Sequence, residues 1–319
     1  MSKRPRTLDS FFVSPPNKKR QTENAANEVK PQNQAQSKHT TYPFAVAELP
    51  TDLQEILQFV PSSEGRDIAD QPDLDLVYYQ PYIPKGAEKE LFEFLRQNLF
   101  FYRVKYSIKR GPVETQINTP RFTTVFGLDE SSRFSPDGSV IVDAASQKPV
   151  PKDRYQCQPR PIPQCLDSLR ILAENVTGCK FNFTLVNYYA SGDDSISYHS
   201  DDERFLGVDP AIASMSLGAR RDFLMKHKPT AAKHSSETQP MKMPMASGDM
   251  ILMRGKTQSN WLHSIPKRKG GEAEKGRINI TFRRAKVKGG TENYYRYNVG
   301  QGDVYRWDPG SRSMVIWKG

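Results

Sequence analysis

The chain has little with which to build a disulfide framework or a membrane span. Its three cysteines, Cys157, Cys165 and Cys179, are spread through 319 residues and form no Cys-x-x-Cys pair. An odd count with no apolar signal core at the N-terminus points to reduced thiols in an intracellular compartment. No apolar run approaches the roughly 20 residues that a membrane-spanning helix needs, so no membrane partner is expected. Histidine is also scarce, with five in all. Any imidazole chemistry must therefore come from His39, His199, His227, His234 or His263.

What is abundant is positive charge. Lys and Arg number 46 against 36 Asp and Glu, a formal net charge of +10. That balance favours a polyanionic partner, nucleic acid first. Residues 1–72 are rich in Pro, Gln, Asn, Ser and Lys and read as a disordered tail, apart from a short amphipathic helix near Leu53, Ile56, Leu57 and Val60. Basic clusters at Lys3-Arg4-Pro5-Arg6 and Lys18-Lys19-Arg20 have the character of import signals, so a nuclear location is expected. Between them, one tight turn would gather Leu8, Phe11 and Phe12 on one apolar face. This segment resembles the sliding-clamp-binding motif of replication and repair proteins, except that Pro5 stands where that motif starts with Gln.

Residues 73–319 read as one domain. Two helices are expected, over Glu88–Leu99 and Pro163–Asn175, from aliphatic residues at helical spacing. A run of short strands follows between residues 180 and 285, punctuated by Gly192, Gly218, Gly248 and Gly255. Many short strands separated by turns suggest a mostly β fold, a double-sheet jelly roll with helices packed outside. The segment Lys226–Pro244 is polar and reads as an exposed insertion, with His227 and His234 in loop.

Three residues stand out: His199 and Asp201 in Tyr198-His199-Ser200-Asp201-Asp202-Glu203, and His263 in Trp261-Leu262-His263-Ser264. Two neutral imidazoles and a carboxylate can cover one face of a metal and leave the other open, as suits non-haem Fe(II). Arg277-Ile278-Asn279-Ile280-Thr281-Phe282-Arg283 then alternates polar and apolar. With a period of two, Arg277, Asn279, Thr281 and Arg283 share one strand face. Two guanidiniums there can hold a dicarboxylate by forked hydrogen bonds.

In this order, Asn187-x-Tyr189, Gly192, His199-x-Asp201-Asp202-Glu203, His263 and Arg277-x-Asn279-x-Thr281-Phe282-Arg283 resemble the AlkB family of Fe(II)/2-oxoglutarate dioxygenases, and most of all its eukaryotic nuclear DNA-repair branch. The resemblance covers roughly residues 74 to 310. It implies the double-stranded β-helix, with His199, Asp201 and His263 as iron ligands. It also implies that Asn187, Tyr189, Arg277, Asn279, Thr281 and Arg283 form the 2-oxoglutarate site, with O₂ as oxidant. The implied reaction is oxidative removal of an N-methyl group as formaldehyde, from N1-methyladenine or N3-methylcytosine in DNA, leaving succinate and CO₂.

The resemblance extends to substrate residues. The nucleotide-recognition segment would span about 105–135. There Phe126 would supply a stacking face, with Arg121, Gly127 and Leu128 beside it. Asp202 and Glu203 would lie at the mouth of the iron site, where a carboxylate favours a cationic methylated base. The stretch Ser107–Thr119 lacks the aromatic wedge of duplex-specialised relatives, which weakens any expectation of duplex preference. Three other readings stay open: an RNA demethylase of the same chemistry, a hydroxylase of a small molecule or protein, and a non-catalytic adaptor. The positive charge speaks against the second and the complete set of ligand-type residues against the third. A monomer is expected.

Overall fold

The computed structural model describes residues 35–155, 157–229, 238–286 and 302–319. The basic clusters, Leu8, Phe11, Phe12 and His234 lie outside them. In chain order the first elements are β1 (Gln36–Ser37), β2 (Val46–Ala47), α1 (Thr51–Leu57), β3 (Arg66–Ile68), β4 (Leu76–Tyr79), α2 (Ala87–Asn98) and β5 (Phe101–Tyr102). Next come β6 (Lys105–Arg110), β7 (Val113–Asn118), β8 (Phe122–Gly127), β9 (Ser132–Phe134), β10 (Ile141–Asp143), α3 (Gln164–Thr177), β11 (Phe183–Tyr189) and β12 (Ile196–His199). The rest are β13 (Ile212–Gly218), β14 (Arg221–His227), β15 (Met241–Met245), β16 (Met250–Met253), α4 (Thr257–Asn260), β17 (Trp261–Ile265), β18 (Arg277–Arg283), β19 (Val304–Asp308) and β20 (Ser313–Ile316).

Two antiparallel sheets make the jelly roll. The larger runs β20-β19-β5-β8-β11-β18-β13-β16-β4-β3 and the smaller runs β12-β17-β14-β15. The central strands of the larger sheet are buried on both faces, and alternation decides which face each side chain serves. On the outer face Val186, Tyr188, Met215, Ile278, Ile280 and Phe282 pack against Leu91, Phe92 and Leu95 of α2 and Leu166 and Leu169 of α3. These helices form where expected, because their aliphatic residues recur on one face. On the inner face Leu185, Tyr189, Ile251 and Met253 meet Phe223, Met225, Met243, Trp261 and Ile265 of the smaller sheet.

Two expectations need correction. The tail does not extend to residue 72: Val46, Leu49, Leu53 and Leu57 are buried in the main core with α2, and His39 donates to or accepts from Thr41 and meets Gly138 O at 2.7 Å. The apolar residues there are sparse in sequence but converge in space, so composition hid them. The segment after Lys226 is not wholly an exposed insertion either. His227 ends β14 with its ring against Trp261, and Met243 and Met245 of β15 are buried between the sheets. The hairpin β6–β7 forms a separate two-stranded sheet, turning at Gly111, whose φ of 61° suits glycine.

Candidate active site

A cavity of about 380 Å³ opens between the two sheets. β11 lines it with Leu185, Asn187 and Tyr189, and β18 with Arg277, Asn279, Thr281 and Arg283. The smaller sheet contributes His199, Phe223, His263 and Ile265. The alternation in β18 thus holds: four polar side chains face inward, while Ile278, Ile280 and Phe282 pack on the helical side.

His199 and His263 are directly opposite each other across the antiparallel pair β12–β17, with a register irregularity between Ile196 and His199. Their rings lie 4.3 Å apart between centroids. Asp201 closes the group: Oδ1 is 3.8 Å from His199 Nε2 and Oδ2 is 3.7 Å from His263 Nε2. All three can offer ligand atoms within 4.8 Å of one another. His199 Nδ1 lies 2.9 Å from Ser197 O. Donating there leaves Nε2 with its lone pair for a metal. Burial, with the neighbouring His199, drives the His263 pKa down to about 3, so this imidazole is neutral and available as a ligand. Phe223 stacks on the His263 ring at 5.3 Å and fixes its plane. For Asp201, burial pushes the pKa upward. The Arg283 guanidinium beside it outweighs burial and holds the carboxyl below its ordinary value. Arg283 Nη2 is 3.0 Å from Asp201 Oδ2, in a pair that is almost fully buried.

Arg277 has the opposite arrangement. It is 2% exposed. Nη2 donates to Ser216 Oγ at 2.8 Å, yet Nε and Nη1 have no hydrogen-bond partner among the described residues. Burial lowers its pKa to about 10, which still leaves it charged at neutral pH. The Tyr189 ring lies 5.3 Å from the guanidinium, and a buried guanidinium is costly unless an anion completes it. A carboxylate entering the cavity can accept from Nη1. The donor set therefore suits both groups: His199, Asp201 and His263 for Fe(II), and Arg277 for one end of a dicarboxylate. Asn187 Oδ1 accepts from Thr123 Oγ1 at 3.0 Å and Arg121 Nε at 3.2 Å, which leaves its amide NH₂ as the group able to donate.

The substrate residues divide. Arg121 lines the cavity. Phe126 does not: it is 1% exposed, on the outer face of β8, with edge contacts to Tyr42 and Phe100. Register pairs Thr123 with Asn187 and Phe126 with Thr184, so Phe126 has the parity opposite to the cavity residues and cannot stack on a base there. Gly127 has φ of 111°, and a Cβ would stand 2.2 Å from Asn182 O. Its glycine serves backbone packing rather than approach to a ligand. Leu128 packs in the inner core, away from the cavity lining. Asp202 and Glu203 do not line the cavity either. Asp202 pairs with Lys228 at 2.7 Å, and Glu203 Oε1 lies 3.6 Å from Arg283 Nη1.

Several functional positions were not anticipated. Ser216 anchors Arg277, and Gln258 Oε1 accepts from the Asp201 backbone N–H at 2.9 Å. Tyr198, 39% exposed, and Met253 also line the cavity. Ser214 and Ser216, polar and two apart in an otherwise apolar strand, were the available signal for an inward polar face. Gln258 had none.

A model of the 2OG-Fe(II) oxygenase superfamily matches residues 75–283. The chain is similar to the DNA oxidative demethylase ALKBH2 of Bos taurus, 41% identical over 127 residues, which is 40% of this chain and 45% of that protein. The Homo sapiens ALKBH2 is also 41% identical over 127 residues, covering 40% of this chain and 48% of its own length. The alpha-ketoglutarate-dependent dioxygenase alkB homolog 3 of Rattus norvegicus is 38% identical over 139 residues, 42% of this chain and 46% of its own. The alignments thus span about half the length of these relatives. With the His-Asp-His cluster and the paired inward arginines in place, the chain belongs to the 2OG-Fe(II) oxygenase superfamily.

Proposed function

We propose that this protein is an oxidative demethylase of N-alkylated bases in DNA. The observation that carries the reading is Arg277, a buried guanidinium beside Tyr189 whose Nη1 has no close hydrogen-bond partner, in the same cavity as His199, Asp201 and His263. That pairing suits a metal and a dicarboxylate co-substrate. The choice of nucleic acid is supported by the net charge of +10 and by relatives named as DNA demethylases. The balanced reaction converts an N-methyl base, 2-oxoglutarate and O₂ into the N–H base, formaldehyde, succinate and CO₂.

Fe(II) with 2-oxoglutarate would supply the O₂-dependent oxidation of the methyl C–H bond. The chain's own residues do the rest. His199 and His263 present neutral nitrogens, and Arg283 keeps Asp201 ionised beside them. Arg277, steadied by Ser216, orients the dicarboxylate. Phe223, Met253 and Ile265 give the cavity apolar walls that limit water. Arg121, which also lines the cavity, supplies a guanidinium for a phosphate or base edge.

The tail extends the proposal to a nuclear protein that meets the sliding clamp through Leu8, Phe11 and Phe12 and acts as a monomer. Phe11→Ala with Phe12→Ala should abolish clamp pull-down, and unaltered capture would remove those residues from the contact. The activity itself is tested by formaldehyde release from N1-methyladenine in single-stranded DNA, duplex DNA and RNA. Equal yields of formaldehyde and succinate on DNA are expected. Higher turnover on RNA would move the substrate to RNA. Succinate without formaldehyde on every nucleic acid would overturn the reading.

A further inference from the structure

Each carboxylate that follows the ligand His199 already has a basic partner within the chain. Asp201 and Glu203 lie against Arg283. Asp202 Oδ2 lies 2.7 Å from Lys228 Nζ. This last pair is not a loose surface contact. The Lys228 side chain is only 25% exposed. Its ammonium also donates to Gln258 O at 3.2 Å, and its backbone N–H donates to Asn260 O at 2.7 Å. Gln258 in turn accepts from the Asp201 backbone N–H through its side chain. One residue of α4 thus fixes both the metal ligand and the lysine that neutralises the carboxylate next to it.

Asp202 is the half-exposed member of the acidic run, one residue from the metal cluster. Left unpaired, it would put a full negative charge beside that cluster and favour a cationic methylated base over a neutral one of similar shape. Paired with a held ammonium, it presents a short dipole whose field falls off faster with distance.

We propose that Lys228 is a specificity-determining residue: by holding Asp202 it masks the charge beside the metal cluster and keeps the cavity open to neutral N-methylated bases as well as cationic ones. The proposal rests on the reading that the substrate is an N-methylated base. Lys228 need not touch substrate. It acts through Asp202, and its effect is on discrimination between bases.

The test compares kcat/KM for single-stranded oligonucleotides carrying cationic N1-methyladenine or neutral N3-methylthymine, at one fixed low ionic strength. In Lys228→Met the cationic-to-neutral ratio should rise about three- to tenfold, as expected for one unmasked charge in a partly screened site. Lys228→Arg should restore the wild-type ratio. Asp202→Asn, which leaves the ammonium unpaired, should lower the ratio, and it provides a reading even if Lys228→Met folds poorly. With Asp202→Asn in place, Lys228→Met should no longer raise the ratio above the wild-type value. A ratio unchanged in Lys228→Met, with both bases losing turnover equally, would overturn the masking role and leave Lys228 purely structural. If the wild-type protein consumes 2-oxoglutarate but demethylates neither base, the substrate reading fails and takes this inference with it.

Discussion

β18 and β8 flank β11 in the same sheet, and both are buried along their whole length. In β18 every second residue is polar, so a single choice of face sorts Arg277, Asn279, Thr281 and Arg283 from Ile278, Ile280 and Phe282. The cost of burying an unpaired guanidinium against helices leaves only one solution. β8 reads Phe-Thr-Thr-Val-Phe-Gly, with no such alternation. Thr123 faces Asn187, while Thr124 on the other face has a hydroxyl with no hydrogen-bond partner among the described residues. Chemistry can be read from a strand when polarity marks the face. It cannot be read when both faces carry the same kinds of residue.

The largest effect on this comparison comes from the metal cluster that the inward face of β18 supports. His199→Ala, Asp201→Ala and His263→Ala should each abolish Fe(II)-dependent turnover while leaving the circular dichroism spectrum native, since each removes one of three ligands. Retained activity with unchanged iron content would detach the inward face from catalysis.

Phe126 tests the other side. Phe126→Ala should destabilise the fold by about 3–5 kcal/mol, the usual cost of deleting a buried aromatic side chain, while the KM for the methylated oligonucleotide stays near wild type. A stable variant with a greatly raised substrate KM would return Phe126 to the cavity.

A smaller effect follows from His263. Its folded pKa lies near 3, below the ordinary 6.5. Between those values the unfolded chain binds more protons than the folded one. The metal-free protein should therefore be most stable, as far as this group goes, above pH 6.5, and should lose that contribution as pH falls toward 3. Thermal melting of metal-free wild type and His263→Gln across this window should show a shallower pH slope in the variant, by up to about one proton. Parallel slopes would mean that His263 is accessible to protons in the folded state.

The same contrast explains how much was legible. The jelly roll, helices α2 and α3, the three ligand-type residues and the polar face of β18 follow from periodicity and from ordered motifs. Gln258 and Ser216 act through contacts across long sequence distances, 57 residues to Asp201 and 61 to Arg277, and nothing local marks them. The pairing of Asp202 with Lys228 was hidden in the same way: two exposed-looking charges 26 residues apart become partners only when α4 and β14 meet. Leu53 and Leu57 were legible as a helix face but not as core, because their partners come from α2 and β4.

The central claim is that the inward face of β18 and the His-Asp-His cluster form one site for a metal and a dicarboxylate. Anaerobic titration of the Fe(II)-loaded protein with 2-oxoglutarate tests it most directly, using wild type, Arg277→Lys and Ile278→Val. Wild type and Ile278→Val should bind one equivalent with similar affinity. Arg277→Lys, which replaces a planar fork with a point charge, should bind at least about tenfold more weakly. Equal affinity in Arg277→Lys would contradict the account, because the dicarboxylate would then be anchored somewhere other than the inward face of β18.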